Sequence, residues 1–97
     1  MKRSDPAAAR EAAEALALRA LAFLAEDPER LGRFLALSGI GPGELRSRAA
    51  DPTLLGGVLD HLLSDERLLV AFAQADGLKP DEAARARRHL PGGAPWD

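Results

Sequence analysis

The chain has no cysteine and few aromatic or β-branched residues, and each shortage excludes a class of protein. Without cysteine there is no disulfide framework, no thiol nucleophile and no thiolate metal site. Three Phe, one Trp and no Tyr, with Val, Ile and Thr similarly scarce, leave little that favours a pleated sheet. Ala and Leu dominate the 46% of residues that are apolar, alongside many Glu and Arg. This composition predicts an all-α protein.

The chain also lacks a strong net charge and a long apolar run. Its formal net charge is −2, whereas a dedicated nucleic-acid-binding domain is usually basic. The apolar stretch from Ala15 to Ala25 is interrupted by Arg19 and is far shorter than the about 20 residues that a membrane span needs. No small-residue cleavage site follows an apolar segment of the kind that secretory signals carry. We therefore expect a soluble cytoplasmic protein with no membrane segment.

Aspartate–proline pairs divide the chain into helices. The carboxylate accepts hydrogen bonds from the free amides of the first turn, and the amide hydrogen that proline lacks would have no partner at the first helical position. Such pairs occur at Asp5-Pro6, Asp27-Pro28 and Asp51-Pro52. Further starts at Pro42, Asp65 and Pro80 complete a pattern of six helices, at about 6–26, 29–38, 42–49, 52–63, 65–76 and 80–89. The short links predict a single compact orthogonal bundle of five to six short helices over residues 1–90, with a short flexible tail over 91–97.

The stretch from Asp51 to Phe72 is the most apolar part of the chain and is expected to form a helical hairpin at the centre of the domain. Its core positions would be Leu54, Leu55, Val58, Leu59, Leu62, Leu63, Leu68, Leu69 and Phe72, and those of the second helix Leu31, Phe34, Leu35 and Leu37. The pair Gly56-Gly57 costs about 1 kcal/mol per glycine relative to alanine. It indicates either a closely crossing backbone or a kink.

The first helix is apolar over most of its circumference, which fits either the central helix of the domain or a face shared with a partner. The candidate partner face comprises Leu18, Leu21 and Phe23, together with Trp96, the only tryptophan. Trp96 lies in a Pro/Gly-rich tail and is expected either to fold back onto the domain or to contact the partner. The partner would be another protein or a second copy of this chain.

The turn from Leu37 to Leu45 resembles the helix-hairpin-helix module of DNA repair and replication proteins. That resemblance implies phosphate contacts at Gly39, Gly41 and Gly43, and the second helix offers Arg46 and Arg48. Two features oppose it: Glu44 places a carboxylate where a phosphate would bind, and the second helix lacks the lysine that often supports the contact in that family. Ile40 also has an alternative role as an apolar plug between two turn glycines.

The remaining polar residues do not match a catalytic or metal-binding pattern. His61 is close to Asp60, Asp65 and Glu66, but its spacing gives no convergent ligand set, so a hydrogen-bonded surface histidine is expected. A basic cluster occupies the end of the last helix, where it complements the helix dipole more simply than it would bind phosphates or an acidic partner. It consists of Arg85, Arg87, Arg88 and His89. We predict no catalytic residues, no cofactor and no metal, and therefore not an enzyme.

Several short patterns along the chain occur together in one family. They are Phe34 with Ser38-Gly39-Ile40, Asp51-Pro52, Val58-Leu59-Asp60, Leu63-Ser64-Asp65-Glu66 and the closing Leu90-Pro91-Gly92-Gly93. With these, nearly the whole chain resembles the bacterial domain-of-unknown-function 3572 family, which implies a stand-alone helical domain and assigns no catalytic residue to this chain. Two hypotheses remain open: a non-enzymatic protein that binds a protein partner or itself, and a sequence-independent nucleic-acid-binding module.

Overall fold

A computed structural model describes residues 5–92, which form six helices joined by short turns. The helices are α1 (Pro6–Ala25), α2 (Pro28–Ser38), α3 (Pro42–Ser47), α4 (Pro52–Leu63), α5 (Glu66–Asp76) and α6 (Pro80–Arg87). No strand occurs among these residues, and each predicted helix is present with ends that differ by at most two residues. The predicted all-α fold is confirmed. None of the helices within residues 5–92 is both long enough and apolar enough to cross a membrane.

Aspartate side chains cap four of the helices, as their positions in the sequence predict. The carboxylates of Asp5, Asp27 and Asp51 accept hydrogen bonds of 3.0, 2.9 and 2.8 Å from the amide two residues further on. Asp65 accepts one of 3.2 Å from the amide of Leu68 at the start of α5. Because these contacts are local, the boundaries of the helices follow from the sequence.

The core lies between α1 and α4, which pack against each other and against α2, α5 and α6. Its largest fully buried side chains are Phe34, Phe72, Leu24, Leu55, Leu59, Leu62 and Val58. Most of them belong to the stretch from Asp51 to Phe72, which therefore has the central position expected of it. On α1, Ala13, Ala17 and Ala20 are also buried, and their small side chains allow the neighbouring helices to approach closely.

Two leucines that were expected in the core are exposed. The buried side of α2 is defined by Phe34 with the half-buried Leu31 and Leu35, and Leu37 projects away from it, with 68% of its surface exposed. Leu63 likewise projects from the flank of α4. These two core assignments were wrong because the apolar stripe on each helix is narrower than the number of leucines suggests.

The chain that follows α6 is held on α4 by Arg87, which is only 8% exposed. Its guanidinium group donates to both carboxylate oxygens of Asp60, at 2.6 and 3.1 Å, and to the main-chain oxygens of Leu90 and Pro91, at 2.9 and 3.3 Å. The prediction of a solvated helix end is therefore wrong for Arg87. Pro91, the first residue of the tail predicted over 91–97, thus contacts the domain through this guanidinium group.

The glycine pair in α4 marks a close approach at one of its two positions. A β-carbon on Gly56 would lie 2.8 Å from the main-chain oxygen of Pro91 and 3.2 Å from the guanidinium carbon of Arg87. The same atom on Gly57 would have no neighbour within 4 Å. The prediction of a closely approaching backbone is thus confirmed at Gly56.

Candidate functional site

The predicted partner face on α1 does not form a surface. Leu21 and Phe23 are each 8% exposed and belong to the core, whereas Leu18 is 42% exposed. Phe23 is covered by the ring of Phe72, with centroids 5.5 Å apart, and by the guanidinium group of Arg30, 4.3 Å from its ring centroid. Because α2, α4, α5 and α6 all pack against it, α1 is the central helix of the domain. Trp96 lies outside the described residues.

The turn between α2 and α3 has the conformation of a tight corner. Gly39 ends α2 with a φ of 76°, Gly41 precedes α3, and Gly43 lies in its first turn. Ile40 is half-buried and packs against the core, which is the apolar plug that was the alternative to a phosphate site.

The arginines beside this turn are poorly placed for phosphate. Arg48 binds Glu44 at 3.0 Å and Asp51 at 3.2 Å, and these hydrogen bonds, that of Glu44 first, raise the pKa of Arg48. Arg46 is exposed. One of the two guanidinium groups expected to contact a phosphate backbone therefore already binds two carboxylates.

The basic residues at the end of α6 do not act as one cluster. Arg87 is buried on α4, and Arg85 is 3.5 Å from Asp81. Arg85 and His89 line a shallow groove of about 370 Å³ against α1, while Arg88 is exposed. The four side chains therefore do not form one cluster, because Arg87 is buried on α4 and only Arg85 and His89 share a groove.

A polar cleft lies between α2 and the turn that joins α4 to α5. It consists of two adjoining hollows of about 310 and 490 Å³ that share Arg33, His61 and Asp65. We call it the α2–α5 cleft. Its lining residues are Asp27, Glu29, Arg30, Arg33, Leu37, His61, Ser64, Asp65, Glu66, Arg67 and Leu68.

His61 is half-buried in the cleft, and its side chain connects α4 to α2. Its ring meets the ring of Phe34 nearly edge-on, with centroids 5.2 Å apart. Burial lowers the pKa of His61 below its usual 6.5, the positive charge of Arg33 lowers it further, and Asp65 opposes the change. The imidazole is therefore neutral at neutral pH and acts as part of an aromatic contact.

The cleft brings together hydroxyl, guanidinium and carboxylate groups. Ser64 donates its hydroxyl proton to the main-chain oxygen of His61 at 2.7 Å, so that hydroxyl is engaged with the backbone. Within residues 5–92, no three His, Asp or Glu side chains converge as a metal site requires. What the cleft offers is guanidinium groups, carboxylates and one exposed leucine, which suit contact with a polar surface that carries an apolar group.

Sequence reasoning did not single out Arg33, Leu37 and Arg67 as members of one site. A weak signal was available: Leu37 and Arg33 are four residues apart on α2, beside the side that Leu31, Phe34 and Leu35 bury. Nothing local indicates that Arg67 of α5 lies across the same cleft.

We expect the stability contributed by His61 to decrease under mildly acidic conditions. Because the unfolded chain binds a proton near pH 6.5 and the folded protein only at lower pH, this contribution is full above pH 6.5 and is lost as the pH falls towards the folded pKa. The variant His61→Phe keeps an aromatic ring against Phe34 and removes the titration. Urea unfolding from about pH 7.5 to about pH 5 should show the wild type losing stability relative to the variant. Parallel losses in both proteins would contradict the prediction.

A family model described as "Protein of unknown function (DUF3572)" matches residues 10–93. The chain therefore belongs to this family, as its short patterns suggested. The matched range includes the entire α2–α5 cleft and the contacts of Arg87. No curated protein and no solved structure matches the chain.

Proposed function

We propose that this protein is a non-enzymatic binding protein that recognises a protein partner through the α2–α5 cleft, with Leu37 as the apolar contact. The observation that carries the proposal is that Leu37 is 68% exposed, more than any other large apolar side chain among residues 5–92, and lies at the rim of a cleft. Fully burying a leucine is worth about 1.5–3 kcal/mol, so a partner that covers Leu37 gains affinity from one contact.

The position of Leu37 distinguishes it from an ordinary exposed leucine. Single exposed apolar residues are common on protein surfaces. Leu37, however, adjoins a concave surface where Arg33 and Arg67 provide polar contacts around it. An apolar centre with a polar rim is the usual composition of a protein interface.

The proposal retains self-association as its second form, in which the cleft binds another copy of this chain. It places the protein in the bacterial cytoplasm, as the composition and the family resemblance suggested. The nucleic-acid alternative receives less support, because Arg48 is bound to Glu44 and Asp51.

The substitution Leu37→Asp is expected to reduce partner recovery at least about tenfold, which corresponds to about 1.4 kcal/mol. The physical reason is that a carboxylate at the apolar contact must be desolvated when the partner binds. The measurement is quantitative recovery of proteins by the tagged full chain from nuclease-treated native lysate, with light scattering to detect self-association.

The matched control is Leu18→Asp, since Leu18 is also exposed, at 42%, but lies on α1 outside the cleft. Both substitutions should cost about 1 kcal/mol of stability, because Asp is a poorer helix former than Leu and, at position 37, lies near the negative end of the α2 dipole. Equal recovery by the wild type and Leu37→Asp, in a folded protein, would contradict the proposed site.

A further inference from the structure

We infer that the partner presents an acidic, amphipathic segment that places an apolar side chain on Leu37 and carboxylates against Arg33 and Arg67. This inference rests on the proposed function, because it specifies the chemistry of the partner at the same cleft. We argue it from which arginines have a carboxylate partner, from the positions of the carboxylates in the cleft and from the arrangement of side chains on α2.

Most arginines of the described chain already bind a carboxylate. Those within ion-pair distance of one are Arg10, Arg19, Arg30, Arg48, Arg85 and Arg87. Within residues 5–92, Arg33 and Arg67 have no such partner, and both line the larger hollow of the cleft together with Leu37. Two guanidinium groups beside an exposed leucine are thus available to carboxylates from another molecule.

The carboxylates that line the cleft are largely offset by the helices to which they belong. Asp27 and Asp65 accept hydrogen bonds from the first amides of α2 and α5. Glu29 and Glu66 lie in the first turns of the same helices, where the positive end of the helix dipole compensates a negative charge. Arg33, in contrast, lies in the middle of α2, and its positive charge has no such compensation.

The environment of His61 supports the same sign of potential. Its pKa is lowered first by burial and next by Arg33, while the opposing influence of Asp65 is smaller. At His61, the positive charge of Arg33 thus has a larger effect than the negative charge of Asp65.

The spacing on α2 fits a segment that alternates apolar and acidic groups. Arg33 and Leu37 are four residues apart, so their β-carbons lie about 5–6 Å from each other on one side of the helix. A partner helix with a carboxylate and an apolar side chain three or four positions apart can meet both. Nucleic acid fits less well, because its phosphodiester backbone offers no apolar group to Leu37.

The test is photo-crosslinking of the full chain in native lysate, with Leu37 replaced by p-benzoylphenylalanine and the adducts identified by mass spectrometry. The expected adduct is a protein segment with a net negative charge and apolar residues at helical spacing. In the same protein, Arg33→Glu and Arg67→Glu should each reduce the adduct at least tenfold, whereas Arg46→Glu and Arg88→Glu, exposed arginines outside the cleft, should leave it within about twofold.

The outcomes separate this inference from the proposed function. The acidic partner would be overturned, and the cleft would remain a protein-binding site, if the adduct formed on a basic or neutral protein segment or on a second copy of this chain. The same conclusion would follow if neither Arg33→Glu nor Arg67→Glu reduced the adduct. A nuclease-sensitive adduct would overturn both proposals in favour of nucleic acid. No adduct above that obtained with the crosslinker at Leu18 would also overturn both.

Discussion

Replacing Arg87 with alanine is expected to lower the free energy of unfolding by about 3 kcal/mol, because one side chain satisfies several groups at once. The substitution removes two hydrogen bonds to Asp60 and leaves the main-chain oxygens of Leu90 and Pro91 without their donor. For a domain of this size, such a loss lowers the melting temperature by about 12 °C or more. Urea and thermal unfolding of purified wild type and variant measure it.

Two further variants separate the contribution of Arg87 from that of charge alone. Arg87→Lys keeps the positive charge but cannot bind both oxygens of Asp60 in parallel, so it should fall between the wild type and Arg87→Ala. Arg88→Ala, at the adjacent exposed position, should change stability by less than about 0.5 kcal/mol. If Arg87→Ala and Arg88→Ala unfold at the same urea concentration, the buried contact does not stabilise the domain.

The substitution Gly56→Ala is expected to destabilise the protein by about 1–2 kcal/mol even though alanine favours helices. Its β-carbon would lie 2.8 Å from the main-chain oxygen of Pro91, and that oxygen belongs to backbone held in place by Arg87. The chain after α6 must therefore move away from α4, at a cost that exceeds the gain of about 1 kcal/mol in helix propensity. Chemical unfolding measures the difference.

The adjacent glycine provides the control for this prediction. Gly57→Ala meets nothing within 4 Å, so it should stabilise the protein by about 1 kcal/mol through helix propensity alone. The two substitutions, identical in chemistry and adjacent in sequence, should thus differ by about 2–3 kcal/mol with opposite signs. If both variants were more stable than the wild type, Pro91 would be able to move away from α4 at little cost in free energy.

These predictions concern stability, but they also bear on the candidate site. The cleft is formed by α2 and by the turn between α4 and α5, whereas Gly56 lies on the side of α4 that faces α6, and Arg87 ends α6. Because the two regions share no side chain, partner recovery by Gly57→Ala should equal that of the wild type. Loss of recovery in Leu37→Asp can then be assigned to the cleft.

The sequence by itself determined the helices and most of the core. Asp5, Asp27, Asp51 and Asp65 begin helices through hydrogen bonds that span two or three residues, so no distant contact is needed to recognise them. The regular recurrence of leucines after Asp51 likewise identifies the buried side of α4, since helical periodicity is a local property.

Local reasoning failed where the outcome depends on which helices become neighbours. α1 is apolar nearly all round, and the sequence left open whether Leu21 and Phe23 face a partner or the core. Packing of α2, α4, α5 and α6 around α1 buries them. For Leu37, the rotation of α2 that places Phe34 in the core is what leaves this leucine in solvent.

Tertiary structure alone decided the roles of Arg87 and of the α2–α5 cleft. In sequence, Arg87 is one of several arginines near a helix end. Only its hydrogen bond to Asp60, 27 positions away, makes it a buried contact between α6 and α4. Arg33, His61 and Arg67 come from three helices and meet because those helices pack around a shared core. Hydrogen bonds and periodicity within a helix are encoded by neighbouring residues, whereas a cleft between helices exists only once the chain has folded.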